Sequence, residues 1–125
     1  MIKVFRCNRC GNIVTYLLEK GGKLVCCGED MEELKANSTD AAGEKHVPVV
    51  KVDGSTVTVE IGSVPHPMLE EHFINFVILE TEKGFQKVTL APGAEPKAVF
   101  ALAEGDKAVA AYEYCNLHGL WKAEI

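Results

Sequence analysis

Five cysteines and four histidines constrain this chain more than any other feature, because they fall into two groups of different chemistry. Cys7-x-x-Cys10 and the adjacent pair Cys26-Cys27 form one group near the start. His46, His66, His72, Cys115 and His118 use every histidine and the one remaining cysteine. A four-thiolate site can be closed and structural, or redox-active. Four imidazoles and one thiolate leave an octahedral metal one open position, where small-molecule chemistry can occur.

The rest of the composition narrows the compartment and the partners. A hydrophobic content of 47% with 25% charged residues over 125 positions is that of a globular domain with a small appendage. An odd cysteine count fits a fully paired disulfide framework poorly, so thiolates held by metal in a reducing compartment are expected. Residues 1–6 are too short and too charged for a signal peptide, and no apolar run approaches the ~20 residues that span a bilayer. The expectation is a cytoplasmic protein with no membrane association. The net charge of −5 supplies no basic footprint for nucleic acid. An anionic substrate would need a local positive patch, since screening over ~8–10 Å at physiological salt makes the near field decisive.

Residues 1–36 read as a small metal-organised domain. Short β-capable runs cover residues 3–6, 13–18 and 23–25, with Gly21-Gly22 as a hairpin turn. Gly11 and Gly28 each follow a cysteine pair and allow the backbone to curl toward sulfur. So few apolar side chains need a metal to hold them together. The small, polar residues 36–43 form the linker. Residues 37–125 then read as β throughout, with strands at 47–52, 56–61, 73–80, 85–90, 98–102, 108–114 and 120–125, separated by Asp53-Gly54, Gly84, Pro92-Gly93 and Gly105-Asp106. Seven short strands at this spacing predict an immunoglobulin-like antiparallel β-sandwich, so the fold class is all-β. A short turn at residues 68–72 is the only helical candidate. Trp121 and Tyr112 read as sandwich-core residues.

Cys7-x-x-Cys10 lets both sulfurs reach one ion without strain. Vicinal cysteines share a metal only in distorted geometry, and zinc ribbons usually repeat the two-residue spacing instead. A strained tetrathiolate suits iron that cycles between two charge states; a zinc ribbon remains the alternative. A disulfide between neighbours is sterically awkward. The histidines sit at strand ends and loops that a sandwich can gather at one end, and Cys115-x-x-His118 is itself a chelating spacing. Zinc prefers four ligands, and blue-copper sites use fewer histidines. Four neutral imidazoles and a thiolate suit ferrous iron, with the thiolate pushing electron density toward a bound oxygen species.

The chain resembles the desulfoferrodoxins, the two-iron superoxide reductases, over essentially its whole length. The residues that carry the resemblance are Cys7-Asn8-Arg9-Cys10-Gly11-Asn12 and Val25-Cys26-Cys27-Gly28, then Glu44-Lys45-His46-Val47-Pro48, His66-Pro67-Met68 with His72, and Cys115-Asn116-Leu117-His118-Gly119. The resemblance implies two iron ions per chain. Cys7, Cys10, Cys26 and Cys27 would hold the first, in a desulforedoxin-like domain. His46, His66, His72 and His118 would bind the catalytic iron equatorially and Cys115 axially. Glu44 resembles the glutamate that occupies the sixth position in the oxidised state, and Lys45 the lysine that attracts superoxide and organises the protonating water. The implied reaction is one-electron reduction of superoxide to hydrogen peroxide, supplied by a rubredoxin-like donor with the first iron as possible relay, in a homodimer. Two other readings use the same residues. One is a zinc ribbon joined to a partner-binding sandwich, which metal content and colour distinguish. The other is superoxide dismutation, marked by dioxygen release without an external reductant.

Overall fold

The computed structural model describes residues 1–125 and divides into two compact units, Met1–Lys35 and Ala36–Ile125. In the smaller unit, β1 (Val4–Arg6) pairs antiparallel with β2 (Ile13–Thr15) and with β5 (Glu32–Glu33). A separate hairpin joins β3 (Val25–Cys26) to β4 (Glu29–Asp30). Both hairpins turn at cysteines. Between β1 and β2 the Cys7 N–H donates to the Asn12 carbonyl at 2.8 Å, and the Gly11 N–H to the Cys7 carbonyl at 3.0 Å. Between β3 and β4 the whole loop is Cys27-Gly28, with φ of 53° and 78°. Positive φ at both central residues is the type I′ pattern, whose twist matches the strands it joins.

This corrects the expected hairpin at Gly21-Gly22. Those glycines do adopt positive φ, 104° and 80°, but the strand before them pairs with β1 and the strand after them with β4. The cysteine turns supply the local pairing that a glycine hairpin would have supplied. Val4 and Cys7 are the only buried apolar side chains of this unit, too few to hold it together.

In the larger unit, a single helical turn, α1 (Gly43–His46), precedes β6 (Pro48–Asp53). The chain continues through β7 (Thr56–Ile61), β8 (Ile74–Thr81), β9 (Gly84–Thr89), β10 (Lys97–Ala101), β11 (Ala108–Cys115) and β12 (Gly119–Glu124). Two antiparallel sheets result, ordered β10-β7-β6 and β12-β11-β8-β9. They form the seven-strand sandwich that the strand spacing predicts. Alternation along β7 sends Val57, Val59 and Ile61 inward, where they join Val77 and Leu79 of β8, Ala98 and Phe100 of β10, and Ala111 and Cys115 of β11. Such period-2 burial is what an antiparallel sheet covered on one face demands.

The only helix falls at α1 rather than at the expected residues 68–72. Pro48 stops α1 by forcing Val47 into extended backbone, φ −68° and ψ 124°. In the 68–72 segment, reciprocal backbone bonds between Leu69 and His72, at 2.9 and 3.1 Å, make a tight β-bridge instead.

Register places the functional loops. Pro48 pairs with Ile61, so the start of β6 meets the end of β7. Cys115 pairs with both Ile74 and Gly119, so the end of β11 meets the starts of β8 and β12. One step before Cys115 the β8 register skips Asn75, a bulge that re-aims the strand end. Leu79 has no exposed surface in the middle of the core. Leu79→Ala should lower the stability of the larger unit by about 2–5 kcal/mol, the usual range for a buried leucine cavity; denaturant titration followed by far-ultraviolet circular dichroism measures it.

Candidate metal centres

At this end of the sandwich the ligand atoms of His46, His66, His72, Cys115 and His118 all lie within 4.8 Å of one another. They come from α1 before β6 (His46), the β7–β8 loop (His66, and His72 two residues before β8), the end of β11 (Cys115) and the turn into β12 (His118). Their orientation follows from hydrogen bonds. The Nδ1–H of His46 donates to the Ala42 carbonyl at 2.8 Å, and that of His66 to the Pro67 carbonyl at 2.6 Å. A carbonyl can only accept, so the proton sits on Nδ1 and Nε2 keeps a bare lone pair in both rings. Yet these two Nε2 atoms stand 3.1 Å apart, and the His46 Nε2 is also 3.1 Å from the Nδ1 of His118. Cys115 Sγ lies 3.8 Å from that same Nδ1. The Nε2 of His72 is buried with no hydrogen-bond partner.

Lone pairs facing each other at that distance repel unless a cation lies among them. A buried nitrogen without a partner carries a comparable cost. Both features fit a metal ion taken up through Nε2 of three histidines, Nδ1 of His118 and the Cys115 sulfur. Burial lowers the pKa of His46 and His72, and drives that of His66 down to about 4, which favours the neutral, ligating form of these three rings. Burial raises the Cys115 thiol, while the backbone N–H groups of Leu117 and His118 pull it back down. A cation close by is what would complete its deprotonation.

Surrounding groups fix the loops. Asn116 ties the Cys115–His118 turn to the segment that carries His72. Its Oδ1 accepts from the Phe73 N–H at 2.9 Å, and its Nδ2 donates to the Glu71 carbonyl at 3.0 Å. Gly62 clamps α1. Its N–H donates to the Val47 carbonyl at 3.1 Å, and the Val64 N–H to the Glu44 carbonyl at 3.0 Å. A Cβ on Gly62, at φ 79°, would come within 2.6 Å of the Glu44 and Val64 carbonyl oxygens and 2.7 Å of the Lys45 carbonyl carbon. Glu44 and Lys45 are both exposed on α1, beside His46. The Glu44 carboxylate does not join the converging donors. Lys45 takes part in none of the chain's ion pairs, and its charge helps lower the pKa of His46 and His72.

The second group lies in the smaller unit, where the sulfurs of Cys7, Cys10, Cys26 and Cys27 are also within 4.8 Å of one another. Cys10 and Cys26 sulfurs are 3.6 Å apart and those of Cys26 and Cys27 3.9 Å. A tetrahedron with metal–sulfur distances of about 2.3 Å has edges of about 3.8 Å, so these four sulfurs already approximate the shell of one ion. All are free of disulfides. Backbone N–H groups of Cys10 and Arg9 lower the Cys7 pKa to about 6, whereas the neighbouring sulfurs of Cys7 and Cys10 raise that of Cys26 to about 12. The four thiols cannot all ionise without a cation between them.

The family profile described as desulfoferrodoxin matches residues 38–124, and the profile of the desulfoferrodoxin N-terminal domain matches residues 1–34. A desulfoferrodoxin of Nitratidesulfovibrio vulgaris is 48% identical over 122 residues, which is 98% of this chain and 95% of that one. The solved structure of the superoxide reductase from Treponema pallidum superposes with a TM-score of 0.84 at 38% identity and covers 99% of both chains. A superoxide reductase of Pyrococcus horikoshii is 36% identical over 105 residues, 70% of this chain and 91% of that one. The chain belongs to the desulfoferrodoxin family.

Two residues near the larger centre stand out only in the structure. Trp121 is buried as expected but lies against His46 rather than in the main cluster between the sheets. Glu113 faces inward two residues before Cys115, with both carboxylate oxygens buried and unpartnered, and burial raises its pKa to about 9. No periodicity marks either residue, because both sit in ordinary strand positions. Gly62→Ala should fold but displace α1, releasing metal from the five-donor centre about ten- to a hundredfold more readily, the usual range for groups that support ligands. Competition with a coloured chelator reads this, and wild-type retention would show that α1 tolerates the added methyl.

Proposed function

We propose that this chain is a superoxide reductase that carries iron in both donor groups and reduces superoxide at the centre formed by His46, His66, His72, His118 and Cys115. One observation carries the reading: backbone carbonyls fix the tautomers so that imidazole lone pairs and one buried sulfur converge on a single point. Five donors exceed the four that zinc prefers, and a single strong thiolate among neutral imidazoles suits ferrous iron. Bound there, iron supplies the one electron that, with two protons, converts superoxide to hydrogen peroxide.

The chain's own groups set up that chemistry. An imidazole that ligates through its ring lone pair is neutral, and burial favours that form at His46, His66 and His72, so the only ligand charge is the Cys115 thiolate. The N–H groups of Leu117 and His118 hydrogen-bond the sulfur and temper the electron density it donates. Lys45, exposed and unpaired beside His46, attracts the superoxide anion and holds water that delivers protons to the nascent peroxide. Glu44 on the same turn is the proposed anionic cap of the oxidised centre; its carboxylate must swing inward to serve, because it stands outside the converging donors.

The four-cysteine iron of the smaller unit is the proposed electron relay, recharged by a rubredoxin-like donor. Leu17, Leu18 and Val25 of this unit are 91%, 73% and 59% exposed, and such an apolar surface supports pairing in a homodimer. No helix is long and apolar enough to cross a membrane. Five free cysteines in two thiolate-bearing groups favour a reducing compartment, and the cytoplasm is the proposed location.

Cys115→Ser should abolish the thiolate-to-iron charge-transfer band and most reductase activity while the four-cysteine spectrum persists. Survival of the band would remove Cys115 from the iron. Lys45→Ala should slow superoxide capture about tenfold at low salt and flatten its dependence on ionic strength, leaving iron content unchanged. Pulse radiolysis at several salt concentrations checks this. Oxygen release during turnover without reductant would favour dismutation over reduction.

A further inference from the structure

Trp121 is the chain's only tryptophan, and its side chain directly engages two of the five donor residues without being one of them. On β12 it pairs across the sheet with Glu113, on the face that also carries Cys115 and its partner Gly119. Its ring stacks on the imidazole of His46, with centroids 4.9 Å apart and planes inclined by 27°. Its Nε1–H donates to the backbone carbonyl of His118 at 3.1 Å. The two residues it engages are 72 positions apart in sequence, and their ligand nitrogens are 3.1 Å from each other.

Each contact adds a restraint on the donor set: the edges of His66 and His118 meet the His46 ring at centroid distances of 4.6 and 4.8 Å, and Trp121 alone stacks on its face. The Ala42 carbonyl fixes the His46 tautomer through one atom, Nδ1, and places no restraint on the face of the ring. A flat indole against the ring face opposes its tipping. His118 turns Nδ1 toward the centre, the ring nitrogen nearest its own backbone, so the position of that donor follows the backbone closely. The same residue's N–H stabilises the Cys115 sulfur. Holding the His118 carbonyl therefore fixes both a ligand nitrogen and a hydrogen bond that tunes the thiolate.

We propose that Trp121 is a positioning residue of the five-donor centre: its ring holds the His46 imidazole upright, and its indole N–H, through the His118 carbonyl, sets the hydrogen bonding of the Cys115 sulfur. The inference rests on iron occupying this centre, as proposed above, but not on superoxide being the substrate.

Two variants separate the contacts. Trp121→Phe keeps an aromatic face and loses the N–H; Trp121→Leu loses both. Each is compared with the wild type as iron-loaded, full-length protein. In Trp121→Phe the thiolate-to-ferric band should move to longer wavelength and the reduction potential should fall, because a loosened N–H to sulfur bond leaves the thiolate a stronger donor. Iron release to a chelator should be about tenfold faster in the Phe variant and about a hundredfold faster in the Leu variant, within the range of ligand-supporting groups. Trp121→Phe with the wild-type band, potential and release rate would overturn the proposal, and this variant decides the matter even if Trp121→Leu fails to fold. These readouts are independent of turnover. Band and release that shift in a protein without reductase activity would uphold Trp121 and reject superoxide as substrate. A wild-type protein with no such band would sink the iron assignment and the proposal with it.

Discussion

The hydrogen bonds from His46 and His66 to the carbonyls of Ala42 and Pro67 are the constraint on which the larger unit's chemistry depends. They remove the choice of tautomer. With the proton fixed on Nδ1, each ring must present a lone pair to the same small volume, and burial denies either ring the option of protonating to relieve the repulsion. The sandwich behind them is stiff enough to hold that arrangement, since every donor follows or precedes a strand whose register is fixed by inward-facing residues. The site is thus built for a cation before one arrives. Pre-formed geometry of this kind lowers the reorganisation needed when the metal's charge changes.

The smaller unit solves the opposite problem. It has almost no apolar core, so its shape follows from two turns that carry the ligands themselves. The vicinal pair looks ill-suited to one ion because neighbouring side chains on a strand diverge. In the structure only Cys26 is in a strand. Cys27 is the first residue of a type I′ turn, at φ 53°, and this left-handed conformation swings its sulfur back to 3.9 Å from that of Cys26. Gly28 then completes the turn. A non-glycine residue at positive φ is costly, and sulfur–metal bonding is the interaction able to offset it here.

Much of this was legible in the residues. The strands show as alternating runs, and Thr56–Ile61 was readable to the residue because its inward valines and isoleucine alternate with polar neighbours. The donors were legible because histidine and cysteine have few other reasons to cluster at strand ends. Three features were not legible. The Gly21-Gly22 hairpin was expected because glycine pairs are the usual turn signal, whereas the pairing went to turns built on cysteine. The helix at α1 is four residues long, shorter than any periodic signal. Trp121 and Glu113 owe their surroundings to the cross-strand register of β11 with β12, which is invisible in one strand's own pattern.

Charge ties the centre to the anion it is proposed to reduce. Neutral imidazoles and one thiolate leave a bound ferrous ion with a net positive charge of one, despite a chain that carries −5 overall. Glu113 would cancel that charge if it ionised, since it lies two residues from Cys115 and its charge acts to raise the thiol pKa. Burial without a hydrogen-bond partner keeps it protonated, with a pKa of about 9. The positive balance at the metal therefore depends on a carboxyl being kept dry within the core. Lys45 adds its own charge on the exposed turn beside His46, in its proposed role of attracting that anion. Over the ~8 Å that salt leaves unscreened, these local charges outweigh the acidic surface beyond.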